Sequence, residues 1–129
     1  MAETERLICA RAQLIEGGVA ARFTIEFDGR LLPAFAVAFD GNVYAYVNRC
    51  PHQGTELDWQ PGQMFDDSRL YLICATHGAL FQPDSGRCVG GPCQGASLAR
   101  VAVDEVDSGI YLRAGRLIST NPPSNLPTP

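Results

Sequence analysis

With 129 residues, 46% of them hydrophobic and 19% charged, the chain has the size and composition of one globular domain, with no room for a separate catalytic domain beside it. A net charge of −4 and a pI near 5.0, without any cluster of Lys and Arg, argue against nucleic acid and favour a basic protein as partner. No stretch approaches the roughly 18 apolar residues that span a bilayer, and MAETERLICARAQLIEGG at the start lacks an apolar run of signal-peptide length, so a soluble, cytoplasmic protein away from any membrane is expected.

Residues 7–15 are the one stretch with helical potential, although LIC (7–9) could equally open a strand. VAARFTIEF (19–27) alternates with period two, placing Ala21, Phe23, Ile25 and Phe27 on an expected buried face and Arg22, Thr24 and Glu26 on a wet one. Asp28-Gly29 is a two-residue hairpin turn, since both residues tolerate positive φ. The return strand is 31–39, where Pro33 lacks a ladder donor and belongs near an edge or a bulge. Asp40-Gly41-Asn42 makes the next turn, and VYAYVN (43–48) runs into CPHQGT (50–55). The strand RLYLIC (69–74) enters CATHGA (74–79) in the same way. A short strand at 79–82, the turn Pro83-Asp84-Ser85-Gly86 and a glycine-rich loop, CVGGPCQGAS, follow. Strands at 98–103 and 110–113, joined by DEVDSG, and a short one at 116–118 complete the set. Residues 120–129 carry four prolines and are expected to form an extended, mobile tail. No internal repeat is present, and the fold class is all-β, mostly antiparallel, as a sandwich or small barrel.

Five cysteines, Cys9, Cys50, Cys74, Cys88 and Cys93, are an odd number in a chain without an export signal, which makes metal binding a better explanation than a disulfide framework. The only two histidines each follow a cysteine closely. Cys50 and His52 form CxH, Cys74 and His77 form CxxH, and residues 53–73 separate the pairs. Thiolate and imidazole together hold iron or zinc. Zinc remains open at this point, although zinc fingers usually group cysteines with cysteines and histidines with histidines, whereas each loop here supplies one of each. Two cysteines on one iron and two histidines on the other is the ligand set of a Rieske [2Fe-2S] centre.

CPH and CATHG at strand ends, followed by a GGP loop, resemble the two cluster-binding loops and the covering loop of Rieske-type ferredoxins, the soluble carriers that serve ring-hydroxylating oxygenases. The resemblance covers roughly residues 7–117 and is sharp between 48 and 95. It implies a single domain over 1–119, a Rieske-like antiparallel β-sandwich base with a small cluster-binding subdomain inserted at about 47–83. It implies Cys50 and Cys74 as ligands of the inner iron, and His52 and His77 as ligands of the outer iron near the surface. It also implies an electron carrier rather than an enzyme, taking electrons from a flavin-dependent, NAD(P)H-using reductase and passing them to a terminal oxygenase. Related domains serve as the small subunit of reductases such as nitrite reductase, the alternative reading. A structural zinc protein is the third.

Two departures stand out. The gap between the pairs is longer than usual in the family, and the extra length is expected in DWQPGQMFDDS as a surface loop. Respiratory relatives carry a further cysteine in each loop, joined as a disulfide, and neither loop has one here. High-potential relatives also place Ser and Tyr where this chain has Ala79 and Phe81. Donors to the cluster sulfurs favour the reduced state, so their loss points to the low end of the family's range of about −150 to +300 mV. Cys88, Cys93 and Cys9 are read as packing residues rather than as a redox pair. Trp59 is either a docking residue or a cap on the small core. Glu56, Asp58, Asp66 and Asp67 are either a steering patch or the solvated face of a loop.

Overall fold

The computed structural model describes residues 6–51, 54–58, 60–76, 78–93 and 95–121; His52, Trp59, His77 and the tail from 122 onward lie outside these. Among the described residues there are ten strands and no α-helix. β1 (Leu7–Ala10) leads into a single 3-10 turn, Arg11–Gln13, so the first segment resolves as strand. β2 (Ala21–Phe27), β3 (Arg30–Phe39) and β4 (Asn42–Val47) form a meander. β5 (Leu72–Ile73), β6 (Leu80–Phe81) and β7 (Cys88–Gly90) are short. β8 (Val103–Val106), β9 (Gly109–Leu112) and β10 (Arg116–Asn121) close the chain. Three antiparallel sheets result, in orders β10-β2-β3-β4, β1-β9-β8 and β5-β6-β7.

The turns follow from local chemistry. Asp28 and Gly29 both have positive φ, 52° and 74°, as do Asp40 and Gly41, 52° and 79°. These are the mirror-image turns whose twist matches that of the strands they join. Asp107 and Ser108 make a third, at 49° and 67°, shortening the expected DEVDSG connection to two residues.

β3 reads RLLPAFAVAF, almost without polar residues, because both its faces are covered. Ala34, Ala36 and Ala38 join Ala21, Phe23, Ile25 and Ala45 in a core closed by Ile8, Ile110 and Leu112 of the β1-β9-β8 sheet. Phe35 and Val37, with Tyr46 of β4, point the other way into a second core with Cys50, Leu57, Met64, Cys74 and Phe81. The central sheet is therefore a shared wall. Its small-residue face meets one sheet and its bulky face supports the Cys-bearing loops.

Three expectations need correction. Phe27 is 47% exposed, because it sits on the closing pair of a hairpin, opposite Arg30, where cover runs out. Pro33 lies in a central strand, but its carbonyl accepts from Asn48 N–H just past the last β3-β4 pair, Ala34 with Val47. N and C=O of one strand residue face the same side, so its donorless nitrogen points where the ladder has ended. The glycine-rich stretch after 87 begins as β7 rather than loop, and residues 98–101 run beside β4 through single contacts such as Val101 N–H to Ala45 O.

Candidate metal centre

Two turns with the same hydrogen bonds carry the cysteine pairs. At the first, Cys50 N–H donates to Thr55 O (2.7 Å) and Gly54 N–H to Cys50 O (2.7 Å). At the second, Cys74 N–H donates to Ala79 O (2.9 Å) and Gly78 N–H to Cys74 O (2.8 Å). Each turn closes on a glycine with positive φ, 75° at Gly54 and 74° at Gly78, with nothing near an added Cβ; the conformation demands glycine, not the space. Gln82 to Arg87 repeats the pattern around Gly86, φ 77°. The turn is thus a general device of this chain. The cysteines within it are what distinguish the two loops.

Both sulfurs are inside: Cys50 is 1% exposed and Cys74 fully buried. Ala75 N–H donates to Leu57 O (2.9 Å), tying the second loop to the first. Gly91, φ 86°, lies so close to the second loop that a Cβ there would fall 2.8 Å from Ala79 Cα, so the GGP loop covers it backbone to backbone. Cys93 brings the same third loop to the first, sharing one buried core with Cys50. The three loops therefore converge on one another.

A buried polar network holds this arrangement to the central sheet. Asn48 is 1% exposed; its side chain accepts from Leu57 N–H (2.8 Å) and donates to Asp58 Oδ1 (2.9 Å). Asp58 Oδ2 accepts from Gly62 N–H (2.9 Å) and lies 3.1 Å from Arg22 Nε. That N–H is not aligned as a hydrogen bond, so the contact is an ion pair, with the Asp58 side chain fully covered. By sequence alone Asp58 belongs with the acids of a steering patch or a solvated loop face. The structure makes it a clamp, and Glu56 also stands near Arg22, at 3.5 Å.

The long inter-pair segment is likewise not simply a surface loop. Met64 is fully buried, Phe65 stacks on Phe39 (6.3 Å between centroids) and pairs with Leu72, and Ala20 N–H donates to Gly62 O. Asp66 accepts from Ser68 Oγ, which spends part of its charge on its own turn.

Around the sulfurs, Ala79 and Phe81 are fully buried and carry no hydroxyl. The Tyr46 hydroxyl is turned away, donating to Pro83 O (2.7 Å). Burial, followed by hydrogen bonding to Cys88, pushes the Cys93 thiol up to about 12. The two histidines paired with these cysteines, His52 and His77, and Trp59 lie outside the described residues. Among the described residues no three His, Cys, Asp or Glu side chains form a metal-holding group.

Comparison with known proteins decides the kind of centre. Residues 5–110 match the Rieske [2Fe-2S] domain. The chain belongs to that family. Its cofactor is a [2Fe-2S] cluster, and two buried cysteines in matched turns, walled off from water, fit the half of such a ligand set that thiolates supply. The fold agrees. The chain is similar to the ferredoxin of carbazole 1,9a-dioxygenase from Nocardioides aromaticivorans IC177, at TM-score 0.61 and 23% identity, over 83% of this chain and 93% of that one. It is similar to Sphingomonas yanoikuyae B1 ferredoxin at TM-score 0.62 and 20% identity, over 84% and 96%. It also resembles the terminal oxygenase of carbazole 1,9a-dioxygenase from Novosphingobium sp. KA1, at TM-score 0.62 and 21% identity, covering 90% of this chain but 30% of the oxygenase. A comparison with curated proteins finds no match. Among the described residues no helix is long and apolar enough to cross a membrane.

Proposed function

We propose that the chain is a one-electron carrier of the ferredoxin kind, its cluster held by Cys50, His52, Cys74 and His77. The observation that carries this is the pair of matched turns, each offering a buried cysteine with the chain's only histidines two and three residues further on. Near-complete coverage of the two ferredoxin chains supports a carrier over an oxygenase, of which the chain spans 30%. The unit that would hold the cluster is residues 47–83 within one domain, whose last strand runs to Asn121 rather than ending at 119, so that any tail begins after 121 and not at 120.

When bound, the cluster supplies reversible one-electron chemistry. The residues supply its surroundings. Cys50 and Cys74 act as buried anionic ligands, and the backbone-to-backbone contacts among the three loops hold them in place as charge changes. Ala79 and Phe81 withhold hydroxyl donors, which keeps the reduced state less favoured and the potential low within about −150 to +300 mV. Such a carrier would draw from an NAD(P)H-using flavin reductase and deliver to a terminal oxygenase in a cytoplasmic system, and the acidic surface favours partners with basic faces.

The test is spectroscopic. The purified protein is expected to be red-brown, with a low average g value on reduction and a midpoint below zero; His77→Ala should abolish that signal. A colourless preparation with stoichiometric zinc, or a His77→Ala spectrum like the parent's, would overturn the reading.

A further inference from the structure

Cys88 and Cys93 have no place in the ligand set, yet the covering loop puts their sulfurs in contact. Cys88 opens β7, the chain turns after Gly90 through Gly91 and Pro92, and Cys93 returns with its Sγ 3.3 Å from Cys88 Sγ. Ala96 holds both ends, donating to Cys93 O (3.0 Å) and accepting from Cys88 N–H (2.8 Å). A disulfide needs about 2.05 Å between sulfurs, so closure asks for a movement of about 1.3 Å in a loop that pivots on glycines. Both residues are buried, at 2% and 7% exposure, but an open groove of about 460 Å³ reaches Cys88, lined also by Gln82, Arg87, Val89 and Gly95. Packing alone would not require two sulfurs in contact beside Cys50.

We propose that Cys88 and Cys93 form a reversible thiol–disulfide pair that lowers the potential of the adjacent cluster when oxidised, an inference that rests on the Rieske reading for its second half. The oxidant is a small-molecule disulfide. Cys88, reached from the groove, attacks one of its sulfurs as the thiolate; the small molecule's S–S bond breaks and one thiol leaves. Cys93 then attacks the Cys88 sulfur of the mixed disulfide, and the second thiol leaves. Two protein thiols are oxidised, one added disulfide is reduced to two thiols, and each thiol's proton ends on a released thiol. In the reduced pair Cys93 carries a thiol hydrogen inside the buried core it shares with Cys50 and Cys74, and a donor to a ligand sulfur favours the reduced cluster. The disulfide has no such hydrogen.

The experiment equilibrates cluster-loaded full-length protein anaerobically with oxidised and reduced glutathione at set ratios, then maps alkylated peptides and titrates the midpoint at each ratio. The expected result is a Cys88–Cys93 linked peptide that rises with oxidised glutathione while the midpoint falls in step. Cys88→Ser should remove both responses, and Cys93→Ala should start at the lower midpoint. Absence of the linked peptide at every ratio overturns the pair, and a linked peptide with an unmoved midpoint overturns the tuning. Peptide mapping of the parent protein needs no variant to fold. A colourless starting protein would instead sink the cluster reading, while its peptide map would still report on the pair.

Discussion

The two faces of the central sheet are built on different principles. Toward the β1-β9-β8 sheet, a floor of Ala21, Ala34, Ala36, Ala38 and Ala45 is closed by apolar side chains, and β2 and β3 pair without a register shift from Ala21 with Ala36 to Phe27 with Arg30. Toward the loops, strands are two or three residues long, and position is set by turns, by a glycine pressed against backbone and by a buried carboxylate. A ladder tolerates a local fault because its neighbours hold register. The loop side has few repeats to share the load, so single residues should matter more there.

Asp58→Ala should produce the largest effect. It strips the nearer of two carboxylates from Arg22, which keeps Glu56 at 3.5 Å, and removes the acceptor of the Asn48 amide and of Gly62 N–H at once. Removing one partner of a buried ion pair costs about 3–5 kcal/mol, and the low end applies because Arg22 is partly exposed. Urea unfolding should show this loss, with cluster absorbance lost before strand circular dichroism. Simultaneous loss would mean that the two sides do not differ as described.

The recurrent turn offers a finer comparison. Gly54→Ala and Gly86→Ala impose the same left-handed strain, about 1–2 kcal/mol. At Gly54 the added methyl meets open space, whereas at Gly86 it falls 2.7 Å from Cε1 of the buried Tyr46. Thermal unfolding should therefore place Gly86→Ala below Gly54→Ala by a further roughly 1–3 kcal/mol, the usual cost of overpacking. Equal midpoints would show that conformation alone decides at both turns.

The smallest effect belongs to the other core. Burial raises the Cys9 thiol from 9.0 to about 11, against a smaller opposing effect of Arg11. Its contribution is complete below pH about 9, where the thiol is neutral in folded and unfolded chains alike, and is lost as pH rises toward about 11, because the unfolded chain releases its proton first. Denaturation at pH 8 and pH 10.5 should show a loss that Cys9→Ala reduces. An unchanged loss would place the alkaline sensitivity elsewhere.

Much of this was legible in the residues because it is local. Period two in 21–25, the Asp-Gly turns and the all-β class follow from what each short stretch prefers, and residues 5–110 match the Rieske family that the Cys/His loops resemble. What only the tertiary structure decided joins positions far apart in the chain. Asp58 looked like one more acid in a polar loop until Arg22 and Asn48 were placed beside it. The hydrophobic run of β3 could not reveal that its two faces serve two cores. Cys88 and Cys93, packing residues by sequence, have sulfurs 3.3 Å apart in the core that also holds Cys50. Residue type and spacing report turns and strands, since those depend on φ, ψ and nearest neighbours. Burial of a charge or contact of two sulfurs depends on which distant segment folds over them, and only the packed chain contains that.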